Sequence, residues 1–405
     1  MHDGSFQPVL RFMVCSDIHY QDEDSVERER MKQALALAYR EADADETYKG
    51  LDALYVVGDF ATSGTETQMR AFKKTLDEGV RPGTEVVLTL SSHEFKGSSD
   101  EEGGLKRFAE IFQMPPDDHR VIKGFHFISL TTTRGTHFSD EKVAFAANEL
   151  KKARADAPKK PIFFFQHPHV TDTVCGSINW GEDELYATLM DYPQIIDYSG
   201  HSHAPINDPR SIHQKHFTSL GTGSMSYFEL DEFDKIYGTV PPDAHACAQF
   251  LITEADADGN VRIYPYDVLT GRQFPCTWII DRPWDPSGFR YTDDRYKTTV
   301  KPLFASGAAA VCDEITADGF RVTFPQATFE GGPVDDYVIR VLEEDTGLIV
   351  RSAAIFSGYY LYTPPETLSQ RFEGLESGRA YRVSITAGSF WKTHSDPLET
   401  AVATL

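Results

Sequence analysis

The chain has 405 residues, 40% of them hydrophobic and 25% charged, with a formal net charge of −23 and a pI near 5.0. That length allows two or three domains with a sizeable core, and the acidity argues against nucleic-acid polymers and anionic membranes as partners. No run of about 18 apolar residues occurs, so no membrane span is expected. The start, "MHDGSFQPVLRFMV", lacks a basic stretch followed by an apolar core. It therefore does not read as a signal peptide, unless a leader has been removed. Five scattered cysteines without a CxxC pair suggest a reducing, cytoplasmic setting and argue against a cysteine metal cluster.

In chain order, "VLRFMVCSD" is a near-continuous apolar run, as in a strand buried on both faces. "SVERERMKQALALAYREA" follows with Met31, Leu35 and Ala38 at helical spacing. "LDALYVVGD" reads as a strand, "ETQMRAFKKTLDEG" as a helix and "EVVLTLSSH" as a strand. "DEKVAFAANELKKARADAPKK" predicts a helix, "PIFFFQHPH" a strand, "GEDELYATLM" a helix and "QIIDYSGHSH" a strand. This alternation predicts a layered α/β domain with a largely parallel centre. The acidic runs "EADADET" and "DEEGG" read as solvated surface.

From about residue 270 the text turns irregular, and beyond 300 little helical signal remains. "GFRVTFPQA", "DDYVIRVLEED", "GLIVRSAAIF", "RAYRVSITAG" and "LETAVATL" are short, partly alternating runs between turn residues. They predict an all-β sandwich of about 100 residues. Expected boundaries are the α/β domain at 1–282, a linker at 283–302 and the sandwich at 303–405.

Each strand of the first part ends in polar residues: Asp17 and His19, Asp59, His93, His167, then His201 and His203. The carboxyl edge of an open α/β sheet is where ligands bind. Side chains alternate along an extended chain, so DxH and HxH each present two groups on one side. Carboxylates and neutral imidazoles suit divalent metals used in phosphate chemistry.

The order DxH, GD, xxHE, H, GHxH resembles the calcineurin-like metallophosphoesterases over roughly residues 8–280. "VVGDFATSG" and "SGHSHAP" are similar to members acting on cyclic nucleotides and other small phosphodiesters. The resemblance implies a four-layer α/β/β/α sandwich and two divalent cations, Mn, Fe or Zn, about 3.5–4 Å apart. Asp17, His19 and His203 would hold the first. Asp59 would bridge both. His167, His201 and the residue at position 92 would hold the second. A bridging hydroxide would attack phosphorus, with His93 stabilising charge and protonating the leaving oxygen. The implied activity is hydrolysis of a small phosphodiester, with a phosphomonoester as the rival substrate.

Two positions depart from the family pattern. The family reads GNHE or GNHD where this chain has Ser91-Ser92-His93-Glu94. Three explanations stand side by side: Ser92 ligates directly or through water, the position has been altered, or the metals serve binding rather than turnover. The last defines a rival class, a metal-bound interaction protein whose sandwich carries the function. The second departure is Thr62-Ser63, where relatives often carry an Asp or Asn supporting the catalytic histidine.

Tyr20, Asn179 and Trp180 are candidate substrate contacts, and His169 a candidate supporting residue. His213, His216 and Cys15 read as structural. The last part of the chain resembles a fibronectin type III module, an immunoglobulin-like sandwich: Leu375 and Tyr381 have the spacing of a tyrosine corner, and Phe324 takes the place of the core tryptophan. Phe390-Trp391 is a candidate contact, and docking or dimerisation through this domain is expected as an alternative to a spacer role.

Overall fold

The computed structural model describes residues 6–231 and 235–405. The first five residues of the N-terminal stretch read above lie outside the described residues. Two compact units emerge, one of residues 6–231 and 243–292, the other of residues 235–242 and 293–405.

The first unit is built on two sheets packed face to face. In the seven-stranded sheet, Pro8–Cys15 lies beside Ala53–Val57, which lies beside Glu85–Thr89, all parallel. Gln249–Asp256 adds antiparallel on the other side of Pro8–Cys15. In the six-stranded sheet, Phe125–Ser129, Ile162–Phe165, Ile195–Ser199 and Thr218–Gly221 run parallel. Aromatic rings fill the interface between the sheets: Phe12 packs edge-on against Phe163 at 4.8 Å, and Tyr55 stacks on Phe165 at 3.9 Å. The alternate residues Met13 and Cys15 face outward onto Met31, Leu35 and Ala38 of helix Val26–Ala44. Helix Asp140–Asp156 covers the other sheet through Ala146, Leu150 and Ala153. The result is the expected four layers, α/β/β/α. Strands buried on both faces explain why the apolar runs were continuous rather than alternating.

Two local expectations change. "GEDELYATLM" is helical only over Tyr186–Leu189, because Gly181–Glu182 pairs with His169–Val170 instead. "DEEGG" is not merely solvated surface: Asp100 accepts from the Gly103 N–H at 2.7 Å and caps helix Glu101–Phe112. Acidic side chains in a first turn also meet the positive end of the helix.

The second unit is a sandwich of a three-stranded and a four-stranded antiparallel sheet. Phe324, Tyr337, Ile339 and Val383 lie in its core. The Tyr381 hydroxyl accepts from the Glu376 N–H at 3.0 Å, which makes the tyrosine corner. Phe390 and Trp391 are buried rather than offered as a contact, with the Arg295 guanidinium 4.5 Å above the Trp391 ring. Residues 235–242 belong to this unit: Lys235 forms a buried ion pair with Asp336, and the Ile236 N–H donates to the Ala354 carbonyl at 2.7 Å. Among the described residues no helix is long and apolar enough to cross a membrane.

Candidate metal centre

Five strands of the first unit deliver polar residues from their carboxyl ends. Pro8–Cys15 leads to Asp17 and His19, Ala53–Val57 to Asp59, and Glu85–Thr89 to His93. From the other sheet, Ile162–Phe165 leads to His167, and Ile195–Ser199 to His201 and His203. The edge shared by both sheets therefore gathers the histidines and aspartates read from the sequence.

The backbone there is unusual. Asp17, His19, Asp59, His201 and His203 all take positive φ, between 48° and 72°. Non-glycine residues rarely do so, and such conformations persist only where surrounding structure enforces them. Two glycines make room. A Cβ on Gly58 would lie 2.5 Å from the His167 ring, and one on Gly200 would collide with Asp17 and Ser16.

The side chains form overlapping clusters. Asp17, His19 and His203 bring one ligand atom each within 4.8 Å of one another, and so do Asp59, His167 and His201. Asp59 also groups with His19 and His93, so it stands between the two clusters. His19 Nε2 and His203 Nε2 are 3.0 Å apart, with Asp17 Oδ1 3.2 Å from the latter.

Carbonyls set the tautomers. His203 Nδ1 donates to the Tyr227 carbonyl at 3.1 Å, and His167 Nδ1 to the Val57 carbonyl at 2.7 Å. Both rings thus turn Nε2 inward, the arrangement by which outer hydrogen bonds orient metal-binding imidazoles. Burial, then the neighbouring His203, pushes the His19 imidazole down to about 3. Burial, then His167, pushes His201 down to about 4. Burial works against ionisation of Asp17 and Asp59, yet facing imidazoles hold both carboxyls well below the ordinary range. Burial likewise opposes charge on His167, but Asp59 and Asp17 raise it to about 10.

Behind the clusters, Glu94 is buried and accepts three backbone N–H groups, from Asp59 at 3.1 Å and from Ala61 and Ser91 at 2.9 Å. It pins the loop carrying Asp59 to the turn before His93. Burial, reinforced by Asp59, raises its carboxyl to about 8. The His93 N–H donates to Asp59 Oδ1 at 3.2 Å, and His93 Nδ1 donates to the Thr62 carbonyl at 2.7 Å. The support sought from an Asp or Asn side chain near Thr62-Ser63 is thus supplied by backbone.

Other sequence-predicted residues divide. Ser92 is half-buried at the first position of the short helix Ser92–Phe95, directly before His93. Trp180 is 40% exposed and stands perpendicular to His201 with centroids 5.3 Å apart. Asn179 turns its amide to Asp231 at 3.4 Å instead of toward the clusters. Tyr20 is fully buried, its hydroxyl 3.0 Å from Thr75 Oγ1 and its ring against Phe72, so it cannot stack on a substrate. His169 braces the site: its ring nitrogens meet the hydroxyls of Ser199 and Ser202, each at 2.7 Å. His213 is buried outside the clusters, and His216 packs on Tyr186.

Sequence reasoning missed three neighbours. Tyr227 lies 4.2 Å from the His203 ring, yet its surroundings, "GTGSMSYFEL", carry no motif. Glu94 was legible in principle as the third residue after Ser91 at a helix start, a position that reaches back to backbone N–H groups. Lys96 places Nζ 2.7 Å from His93 Nε2, one helical turn on.

The residues fit divalent cations. His167 Nε2 is wholly buried and lacks a hydrogen-bond partner, although Asp59 Oδ2 is 3.1 Å away. Two buried carboxylates and converging imidazole nitrogens, most of them shielded from water, call for positive charge at their centre. Metal binding also requires imidazoles in their neutral form, which burial favours at His19 and His201.

Residues 10–205 match the model of the calcineurin-like phosphoesterase family, a span that includes every clustered residue. Comparison with curated proteins finds no match. Among solved structures, a purple acid phosphatase from yellow lupin (Lupinus luteus) seeds is 17% identical, with a TM-score of 0.48 over 67% of this chain and 54% of the lupin chain. This chain therefore spans about half of that phosphatase. PhoD is 13% identical over 71% of this chain and 72% of its own, with a TM-score of 0.42. The fibronectin type III domain of human collagen XX is 18% identical over 26% of this chain and 93% of its own, with a TM-score of 0.20.

Proposed function

We propose that the enzyme hydrolyses small phosphoesters, phosphodiesters foremost, with two divalent cations. Asp17, His19 and His203 would hold one, His167, His201 and Ser92 the other, and Asp59 would serve both. The observation that carries this reading is the pair of clusters meeting at Asp59. Cations bound there supply Lewis-acid activation of a water and of the phosphoryl oxygens; manganese, iron and zinc all suit this donor set.

The protein's own groups do the rest. Glu94 fixes the backbone around Asp59 through its three N–H acceptances. His93 Nδ1 is committed to the Thr62 carbonyl, so donation to the leaving oxygen falls to Nε2, which accepts from the Lys96 ammonium at 2.7 Å here and would take up a proton and part from Lys96 to act. Trp180 beside His201 and Tyr227 beside His203 give an aromatic face next to each cluster, which suits the two ester groups of a diester. The acidic surface supports small substrates over nucleic-acid polymers.

The test is chelation followed by reconstitution, assayed with bis-p-nitrophenyl phosphate. The chelated protein should be inactive, and Mn²⁺ should restore hydrolysis as two ions bind per chain. No turnover of diester or monoester in excess Mn²⁺, with one ion or none bound, would overturn the reading and favour a metal-bound interaction protein.

A further inference from the structure

We propose that Lys96 sets the enzyme's preference for substrate charge: its ammonium group admits the dianionic phosphate of a monoester, while diesters depend on it little. The assignment rests on the hydrolase reading above and concerns the same site.

His93 Nδ1 is committed to the Thr62 carbonyl, so Nε2 is the ring atom that faces the substrate. Lys96 Nζ lies 2.7 Å from that atom. The two residues are three apart on one short helical turn, a spacing that puts their side chains on the same face. Among the described residues, no other lysine or arginine forms a hydrogen bond or ion pair with Asp17, His19, Asp59, His93, His167, His201 or His203. Among the described residues, Lys96 is therefore the cationic side chain that hydrogen-bonds to the clusters, beside the atom where phosphate oxygens would come.

A monoester has a third terminal oxygen and a second negative charge near neutral pH, and a diester has neither. In the diester an uncharged ester oxygen takes that place, and an ammonium group gains little from it. A charge-assisted hydrogen bond to the third oxygen is the interaction that separates the two substrates. Lys96 is exposed, and its backbone N–H bonds the His93 carbonyl at 3.3 Å, a bond that side-chain substitution leaves intact.

The experiment compares the Mn²⁺-loaded full chain with Lys96→Met and Lys96→Arg, using p-nitrophenyl phosphate and bis-p-nitrophenyl phosphate. Calorimetric binding of inorganic phosphate provides a readout independent of turnover. In Lys96→Met the monoester-to-diester ratio of kcat/KM should fall roughly tenfold or more, and phosphate should bind weaker by a similar factor. Lys96→Arg should keep the ratio within about threefold, since the charge remains. Equal losses on both substrates would mean that Lys96 acts only by positioning His93, and would overturn the proposal. An unchanged ratio would overturn it too, as would a wild type that cleaves the diester but no monoester. A wild type silent toward both substrates removes the hydrolase reading itself, and this assignment with it.

Discussion

The two halves of the metal centre are built differently. Asp17, His19 and His203 are all buried, all held at positive φ, and closed by the Tyr227 carbonyl behind His203. The half around His167 and His201 is open. His201 is partly exposed, Trp180 stands perpendicular to it on the four-residue helix Ser177–Trp180, and the position proposed to complete this half holds the short hydroxyl of Ser92. A preformed and dehydrated set of donors binds a cation with little reorganisation, whereas an open set with a weaker donor binds less tightly. The first cation is thus expected to be structural in its persistence, and the second to be the one that exchanges.

The most severe way to break this comparison is to remove the group both halves share. Asp59→Asn should cut kcat/KM for the diester by roughly a thousandfold or more, because it weakens both cation positions at once. Loss of only a few-fold in steady-state kinetics would show that the halves do not meet at Asp59.

A second test probes the ground beneath the open half. Asp197 is fully buried, and Gln166, the residue before His167, reaches it with its amide at 3.3 Å. Burial raises the Asp197 carboxyl to about 8, with the Gln166 hydrogen bond opposing. An unfolded carboxyl titrates near pH ~4, so between ~4 and 8 the native state keeps a proton that the unfolded chain has released. Stability must therefore fall as pH rises through that window and stay reduced above it. Asp197→Asn should gain on the order of a few kcal/mol relative to wild type at pH 8.5 and little near pH 4. Urea unfolding at the two pH values decides this, and equal stability differences at both would refute it.

The mildest test sharpens the contrast. Ser92→Asn restores a longer amide donor and should tighten the weaker Mn²⁺ site by about tenfold, leaving the tighter one unchanged. Titration calorimetry separates the two sites. A shift in the tighter site alone would reverse the assignment of strong and weak halves.

The same contrast explains what could be read from the amino acids. Buried parallel strands announce themselves by apolar runs, and their polar endings at Asp17, Asp59, His167 and His203 were visible because no core strand has reason to finish that way. Tyr20 misled, since an aromatic beside His19 looks the same in sequence whether it faces substrate or Phe72. Asn179 misled for a similar reason, its partner Asp231 lying 52 residues away. Tyr227 and the Thr62 carbonyl were illegible: one reaches the site from an irregular loop, and the other acts through backbone, which every residue possesses. Lys96 shows the limit of motif reading, because its meaning comes only from its distance to His93.

Residues 235–242 have a consequence for how this chain is made and cut. They are spliced into the C-terminal sandwich by the Lys235–Asp336 pair and the Ile236–Ala354 bond, although residues on both sides of them belong to the catalytic unit. The sandwich is therefore not a cassette that can be trimmed at one boundary. During synthesis, Ile236 must wait for about a hundred further residues before Ala354 leaves the ribosome, while the catalytic unit is complete by residue 292. A gene truncated at that point would encode every clustered aspartate and histidine, and would leave residues 235–242 without Asp336 and Ala354.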